Sequence, residues 1–330
     1  MAHIFAYIAH KGGAPDDSAF ELAAAARKID PVTSPRAILT GWGADLDAAC
    51  DTLSASYPEI WKIANEALAY PYPNAELVRK ALLNVLPSDS IVLAAHDHFG
   101  IDLAPGLSIK MNAAFVSDVL DISGVEGTDL KVVRQEFGGQ VSAHVRCDIS
   151  SGTVITIRPG AFKAGEPTSG CGLIVDKSGE VGGLTAGRRY LETVVAEAGD
   201  VDITKHNVLV SIGRGIQEKE NVAIAQELAD ALGAAVSCSR PVVDAKWMEK
   251  SRQVGSSGKT VKPKVYLACG ISGAFQHLAG IKGSPFLIAI NKNPKAPIFQ
   301  VADVGIVDDI LEFLPELANK ARELRSVAAK

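Results

Sequence analysis

Two glycine-built turns, Gly213-Arg214-Gly215 and Gly270-Ile271-Ser272-Gly273, sit where an apolar run gives way to a helical pattern. A strand-to-helix junction of this kind bares backbone N–H groups at the positive end of the helix, and small residues let a phosphate come close. Arg214 adds a fixed charge beside the first turn, and Ser272 adds a hydroxyl donor beside the second. The run Gly213-x-Gly215-x-x-Glu218 lacks the third glycine of the dinucleotide fingerprint, which argues against a nicotinamide Rossmann site. Turns that merely connect elements are the alternative reading. Ser239-Arg240-Pro241 follows another apolar run, at the place where open α/β sheets collect ligands. An arginine there neutralises an anion or simply pairs with a surface carboxylate. Gln253-Val254-Gly255-Ser256-Ser257-Gly258-Lys259 holds amide and hydroxyl donors between glycines, which suits a loop around a ligand's edge and equally a flexible loop. His277 lies one turn into the helix expected after Gly273, where it faces a ligand or packs into the core. His96-Asp97-His98 has metal-binding residue types but no clear third ligand, which favours a structural pair. No nucleophile elbow, paired-carboxylate motif or P-loop occurs, and Gly12-Gly13 lacks the following Gly-Lys-Ser/Thr. The chain offers a cofactor-sized polar cradle without an evident acid, base or nucleophile.

The elements that must position these residues alternate. The expected strands are His3–Ile8, Arg36–Thr40, Ile60–Ala64, Ile91–Ala95, Asp129–Gln135, Gln140–Cys147 and Gly152–Arg158, with a turn at Gly138-Gly139. The expected helices are Asp17–Lys28, capped by Asp17 or Ser18, then Leu46–Ala55, Asn74–Leu86, and one from Leu103 through Met111 and beyond. Further along, Asn207–Ser211, Asn221–Leu232 and Ala234–Cys238 form a βαβ unit with Gly233 as helix stop. A long loop from Ser239 to Lys264 comes next. Strands Val265–Cys269 and Phe286–Ile290, a helix Ala274–Ala279 and a closing helix Val307–Lys320 complete the chain. The fold class is α/β, with two domains that are each a mainly parallel sheet flanked by helices. Length agrees: 330 residues suit two domains, divided near Asp200 into 1–200 and 201–330.

Composition narrows the function classes. With 47% hydrophobic residues there is enough apolar surface for packed cores, so disorder is excluded. No apolar run approaches about 18 residues, so a membrane span is not expected. A net charge of −5 argues against nucleic acid as partner. The start, Met1–Ile8, reads as a first strand and not as a leader. Five scattered cysteines without a CxxC point away from disulfides and zinc, toward a reducing cytoplasm.

The second domain resembles the α subunit of electron transfer flavoproteins. The resemblance is carried by Ser211–Gly215, Cys238–Ala245, Gln253–Lys259, Gly270–Gly280 and Ala289–Phe299, in the family's order. More loosely, Val116-Ser117-Asp118-Val119 and Arg158-Pro159-Gly160-Ala161-Phe162 look like segments of the family's first domain. The resemblance implies a heterodimer with a β subunit, which itself holds AMP or a second FAD. It implies FAD in a Rossmann-like C-terminal domain and a cytoplasmic electron carrier of bacterial or archaeal type. Such a carrier collects electrons from dehydrogenases and passes them to a quinone reductase or another acceptor. A variant is the α subunit of an electron-bifurcating, NADH-linked flavoprotein. A flavin-free nucleotide-binding scaffold and a free-standing nicotinamide dehydrogenase are the weaker alternatives. Carried over by residue, the resemblance sets Arg240 over the flavin ring, with Ser239 and Arg214 at the diphosphate and ribityl side. Ser257 would bond near the central-ring nitrogen, within a lining of Val254, Gly255 and Ser256. Ser272, Gly273, Ala274, Phe275 and Gln276 would bind flavin and phosphates, His277 would face the pyrimidine carbonyl, and Asn291, Asp309 and Ile310 would hold the adenosine. Arg240, Ser257 and His277 would tune the flavin. The chain departs from the family in lacking a Gln before Ser257 and in having Gly106 where an Arg is common.

Overall fold

A computed structural model describes residues 3–69, 74–137, 141–163, 171–192, 201–283 and 285–328, and the chain divides into two compact units, Met1–Thr193 and Val194–Lys330. The expected Gly138-Gly139 turn and the expected boundary residue Asp200 lie outside the described residues.

The first unit runs β1 (Ile4–Tyr7), β2 (His10–Lys11), β3 (Ala14–Pro15), α1 (Ser18–Ile29), β4 (Arg36–Gly41), α2 (Gly43–Leu53), β5 (Glu59–Ala64), α3 (Ala75–Val85), β6 (Ile91–Ala95), α4 (His98–Met111), β7 (Ala114–Glu126), β8 (Asp129–Glu136), β9 (Val141–Asp148), β10 (Thr153–Ile157) and β11 (Leu173–Asp176). Nine strands form one sheet in the order β11-β5-β4-β1-β6-β10-β7-β8-β9, parallel throughout except for the β7–β8 and β8–β9 pairings. Every residue of β1 and β10 is buried, as strands covered on both faces require. Alternation sends Ile4 and Ala6 into a core with Leu22 of α1 and Leu46 of α2. Phe5 and Tyr7 enter the opposite core, with Val78 of α3 and Leu103 of α4.

Several element ends differ from expectation for local reasons. Asp17 occupies the N-cap position of α1, where its side chain makes no capping bond, and Asp16 Oδ1 accepts from Ser18 N at 2.9 Å. Helix α4 begins at His98, because Asp97 Oδ1 accepts from Gly100 N at 2.7 Å and caps it there. It does not continue past Met111: Asn112 turns left-handed (φ 52°) and ends it. The chain then enters β7, a 13-residue strand that buries Val116, Val119 and Ile122.

The two segments singled out in this unit meet. Arg158 donates from Nε and Nη2 to both carboxylate oxygens of Asp118, at 2.8 and 2.6 Å. Asp118 has φ 59°, and its backbone N–H donates to Thr156 Oγ1 at 3.0 Å, so three bonds hold an unusual conformation. His96 Nδ1 pairs with the same threonine hydroxyl at 2.9 Å, which makes His96 part of this network. Around Gly106, the Arg79 guanidinium from α3 fills the space: its Cζ lies 2.4 Å from where a Cβ would stand.

The second unit runs β12 (Val208–Ile212), α5 (Val222–Leu232), β13 (Ala235–Cys238), α6 (Arg240–Asp244), β14 (Val265–Cys269), α7 (Phe275–Leu278), β15 (Phe286–Ile290), β16 (Val304–Ile306) and α8 (Ile310–Ala328). Its sheet, β13-β12-β14-β15-β16, is parallel throughout. The expected closing helix starts three residues late because Asp309 caps it: Asp309 Oδ1 accepts from Leu311 N at 3.0 Å. The three residues before the cap segment form the edge strand β16. The helix expected over 274–279 is a single turn. One face of the sheet packs Val210, Ile212, Val236 and Leu267 on α5 and α8. The other buries Leu209, Tyr266, Ala268 and Leu287 under connecting segments that carry Val254, Val261, Ile271 and Ile298. Among the described residues, no helix is long and apolar enough to cross a membrane.

Candidate functional site

The connections leaving the carboxyl ends of all five parallel strands of the second unit carry the residues singled out in the sequence. Arg214 follows β12, Ser239 and Arg240 follow β13, Ser272–His277 follow β14, Asn291 follows β15, and Asp309 and Ile310 follow β16. From β12 the chain passes through α5 to β13 on one side, while β14 lies on the other side. Connections on the two sides of such a reversal part from each other and leave a crevice, where ligands collect in open α/β sheets.

Glycine closes that crevice at backbone distance. A Cβ on Gly213 would stand 2.2 Å from the Gly270 carbonyl oxygen, and one on Gly215 would stand 2.7 Å from Gly270 Cα. Gly213 N donates to Cys269 O (2.8 Å) and Gly215 N to Gly270 O (3.1 Å), fixing the two turns together. Beyond them Gly273 has φ +87°, and its Cβ position is 2.3 Å from Ile298 N, which donates to Ser272 O at 3.0 Å. Among the described residues the N–H groups of Ser272, Gly273, Ala274, Phe275 and Gln276 donate no backbone hydrogen bond. A row of free N–H groups suits an anion. The one-turn α7 adds little dipole, so the potential donors here are the individual amides and not a helix macrodipole.

The loop over 253–259 is folded and not merely tethered. Val254 N donates to Cys238 O (2.8 Å), Lys259 N to Gln253 O (2.7 Å) and Ser256 N to Gln276 O (2.7 Å). Gly255 (φ +139°) is needed because a side chain there would stand 2.8 Å from Gln276 O. Gln253 Nε2 donates to Ser257 Oγ at 2.9 Å, so the hydroxyl accepts inward and keeps its own proton to donate outward. Arg240 is exposed and lies 3.4 Å from Asp244 one turn on, and Arg214 is exposed with no ion pair among the described residues. Ser239 is buried.

Four of the residues expected at the cofactor are engaged within the protein. Asn291 spends its side chain locally: Nδ2 donates to Ile271 O at 2.9 Å and Oδ1 accepts from Asn293 N at 2.9 Å. The Asp309 carboxylate pairs with Lys292 at 2.5 Å, which lowers its pKa, and Ile310 is the first residue of α8, turned into the core. His277 is 6% exposed, with Nδ1 3.1 Å from Val254 O and Nε2 2.9 Å from Tyr266 Oη, so both ring nitrogens are engaged by the protein. Sequence reasoning passes over Tyr266, and it takes Ser211 only as part of the resemblance; the signal of both is a hydroxyl inside an otherwise apolar buried strand.

Burial pushes the His277 pKa down to about 4. The unfolded chain takes up this proton near 6.5, so His277 contributes stability that is complete above that value and lost as pH falls from about 6.5 to 4, a loss on the order of 3 kcal/mol. Native-state hydrogen exchange of β14 amides between pH 7 and 5, corrected for intrinsic rates, reads this. His277→Gln is expected to flatten the pH dependence, and parallel profiles for variant and wild type would remove His277 as its cause.

Sequence comparison places this geometry. The model of a family described as "Electron transfer flavoprotein domain" matches residues 4–179, and that of "Electron transfer flavoprotein FAD-binding domain" matches residues 202–282. The electron transfer flavoprotein subunit alpha of Methylophilus methylotrophus is 34% identical over 96% of this chain and 98% of its own length. Protein FixB of Clostridium saccharobutylicum is 40% identical over 72% of this chain and 71% of its own. The LctC subunit of the lactate dehydrogenase (NAD(+),ferredoxin) of Acetobacterium woodii is 31% identical over 95% of this chain and 75% of its own. Matches across both units, one of them nearly end to end, mean that the chain belongs to the electron transfer flavoprotein family, as an alpha subunit.

Proposed function

We propose that the carboxyl-terminal edge of the second unit's sheet holds FAD, and that the chain is the electron-carrying subunit of a heterodimer with a β subunit. The carrying observation is that the connections leaving all five strand ends lie along one sheet edge, with the glycine turns after β12 and β14 at backbone distance and a row of N–H groups without backbone acceptors beside them. The residues fit the cofactor. The glycines let the two turns close on each other, and the free amides of Ser272–Gln276, with Arg214 and Ser239, suit the charge of a diphosphate. Arg240 supplies a fixed cation and Ser257 an outward hydroxyl proton for the ring, with Val254, Gly255 and Ser256 forming the lining. Asn291, Asp309 and Ile310 shape the adenosine end through backbone and packing, since their side chains are engaged. FAD, when bound, supplies the one- and two-electron redox chemistry, which is why the site needs no acid, base or nucleophile.

We assign docking of the β subunit, with AMP, to the first unit, and place the carrier in the cytoplasm between flavoprotein dehydrogenases and a quinone reductase or other acceptor. A second reading, an electron-bifurcating NADH-linked complex with a second FAD in the β subunit, draws support from the NAD(+),ferredoxin-linked name of the Acetobacterium woodii relative. The test is the visible spectrum of the chain co-expressed with its β partner. A yellow protein bleached by stepwise reduction, with one flavin per heterodimer, is the expected result. Two flavins per heterodimer would favour bifurcation. A colourless protein that takes up no added FAD would leave a flavin-free scaffold.

A further inference from the structure

Ser211 of β12, Ser237 of β13 and Tyr266 of β14 point to one face of the sheet: Ser211 is in register with Ser237 on one side and Ala268 on the other, two residues after Tyr266. All three are fully buried. Tyr266 Oη lies 2.7 Å from Ser211 Oγ and 2.9 Å from His277 Nε2, and Ser237 sits beside the same hydroxyl. The far side of the imidazole, Nδ1, meets the Val254 carbonyl at 3.1 Å.

Proton counting restricts this chain to two states. The Val254 oxygen accepts only, so Nδ1 carries a hydrogen in both. With the ring neutral, Nε2 is bare, and Tyr266 turns its proton to it from Ser211 Oγ, to which the hydroxyl otherwise donates at 2.7 Å. With the ring charged by one proton taken up from solvent, Nε2–H donates to Tyr266 Oη, and Tyr266 donates its own proton to Ser211 Oγ. The heavy atoms need not move between the two. The titratable groups near the chain are Tyr266 and the Cys238 and Cys269 thiols, all kept protonated by burial. Arg252, nearest to Cys238, is turned to the Val236 carbonyl. Among the described residues no carboxylate holds the ring, so the tyrosine hydroxyl is what gives Nε2 a partner in either state.

We propose that Tyr266, backed by Ser211, is the positioning residue of His277: it fixes the ring between β14 and the 253–259 loop, and it provides an acceptor that lets Nε2 carry a hydrogen when negative charge builds up in the cradle. The inference rests on the FAD reading given above. Phenylalanine at 266 would leave an Nε2–H unpaired in a dry site, and that penalty falls on the charged ring more than on the neutral one.

The test compares FAD-loaded wild type with Tyr266→Phe, His277→Gln and the double variant by redox titration. Tyr266→Phe is expected to weaken the preference for reduced over oxidised FAD by roughly tenfold, in the same direction as His277→Gln, and the double variant to add nothing further. In the apo chain, 15N spectra of labelled histidine are expected to move the His277 Nε2 signal in Tyr266→Phe. If Tyr266→Phe does not fold, Ser211→Ala, which keeps the tyrosine, is expected to shift the same preference about threefold. A wild-type preference in either variant, or additive shifts in the double variant, would overturn the positioning role with the FAD site intact. A wild-type protein that binds no FAD would overturn the underlying reading, and this inference with it.

Discussion

Gly273→Ala is expected to destabilise the second unit by about 3 kcal/mol or more and to reduce FAD retention beyond detection in a desalting assay. Two effects act together. The residue sits at φ +87°, where a Cβ costs on the order of 1–2 kcal/mol in any surroundings. The new methyl would also stand 2.3 Å from Ile298 N and 2.6 Å from Ile298 Cα, which are backbone atoms with no rotamer to yield. Relief requires moving the 297–300 turn, and that breaks the bond from Ile298 N to Ser272 O. Ser272 opens the row of free N–H groups, so loss of that bond takes the donors out of line. Gly283→Ala is the control. It has φ +80° but meets Lys262 Cβ at 3.7 Å and Cγ at 3.9 Å, ordinary contacts, so it carries the conformational cost without the clash. Thermal unfolding and FAD titration of both variants separate strain from cradle geometry. Near-wild-type FAD affinity in Gly273→Ala would show that the Ser272–Gln276 segment is not where the cofactor's charge is held.

Legibility in the sequence has a physical basis. Strands β6 and β14 are legible to the residue because each is a continuous apolar run between turn residues, and a strand buried on both faces must be such a run. The site's glycines are legible as turns, since glycine at the end of an apolar run has few other uses. Which glycines touch is not legible: the approach of Gly213 and Gly215 to Gly270, or of Gly273 to Ile298, depends on the register of separate strands. Strand β7 escapes a sequence reading because its buried residues fall at 116, 119 and 122, a three-residue spacing set by register shifts at its pairing with β8 and unlike the alternation expected of a regular strand. The engagement of Asn291, Asp309 and His277 with Ile271, Lys292 and Tyr266 is hidden for the same reason as the glycine contacts. Each pair lies 11 to 20 residues apart in sequence and meets only once the sheet is assembled.

Arg240→Ala is expected to leave the fold unchanged and to lower the reduction potential of the bound FAD. The arginine side chain is 68% exposed and its partner Asp244, 3.4 Å away, is 63% exposed, so their ion pair contributes little to stability. Removing it should shift the unfolding free energy by no more than about 0.5 kcal/mol. A cation held near a ring that gains negative charge acts differently. At an effective dielectric constant near that of a protein surface the attraction at contact is about 4 kcal/mol, and exposure and salt reduce it to on the order of 1–2 kcal/mol. That corresponds to roughly a tenfold or greater loss in the affinity for reduced relative to oxidised FAD. Arg240→Lys separates charge from shape. A lysine keeps the charge but not the planar fork, so a potential recovered by lysine assigns the effect to the cation, and one recovered only by arginine assigns it to stacking on the ring. The shift should shrink with added salt, because an exposed charge is screened. A midpoint potential in Arg240→Ala equal to wild type, measured at low salt with FAD fully bound, would show that the cation does not face the ring, and the tuning would then fall to Ser257 and His277 alone.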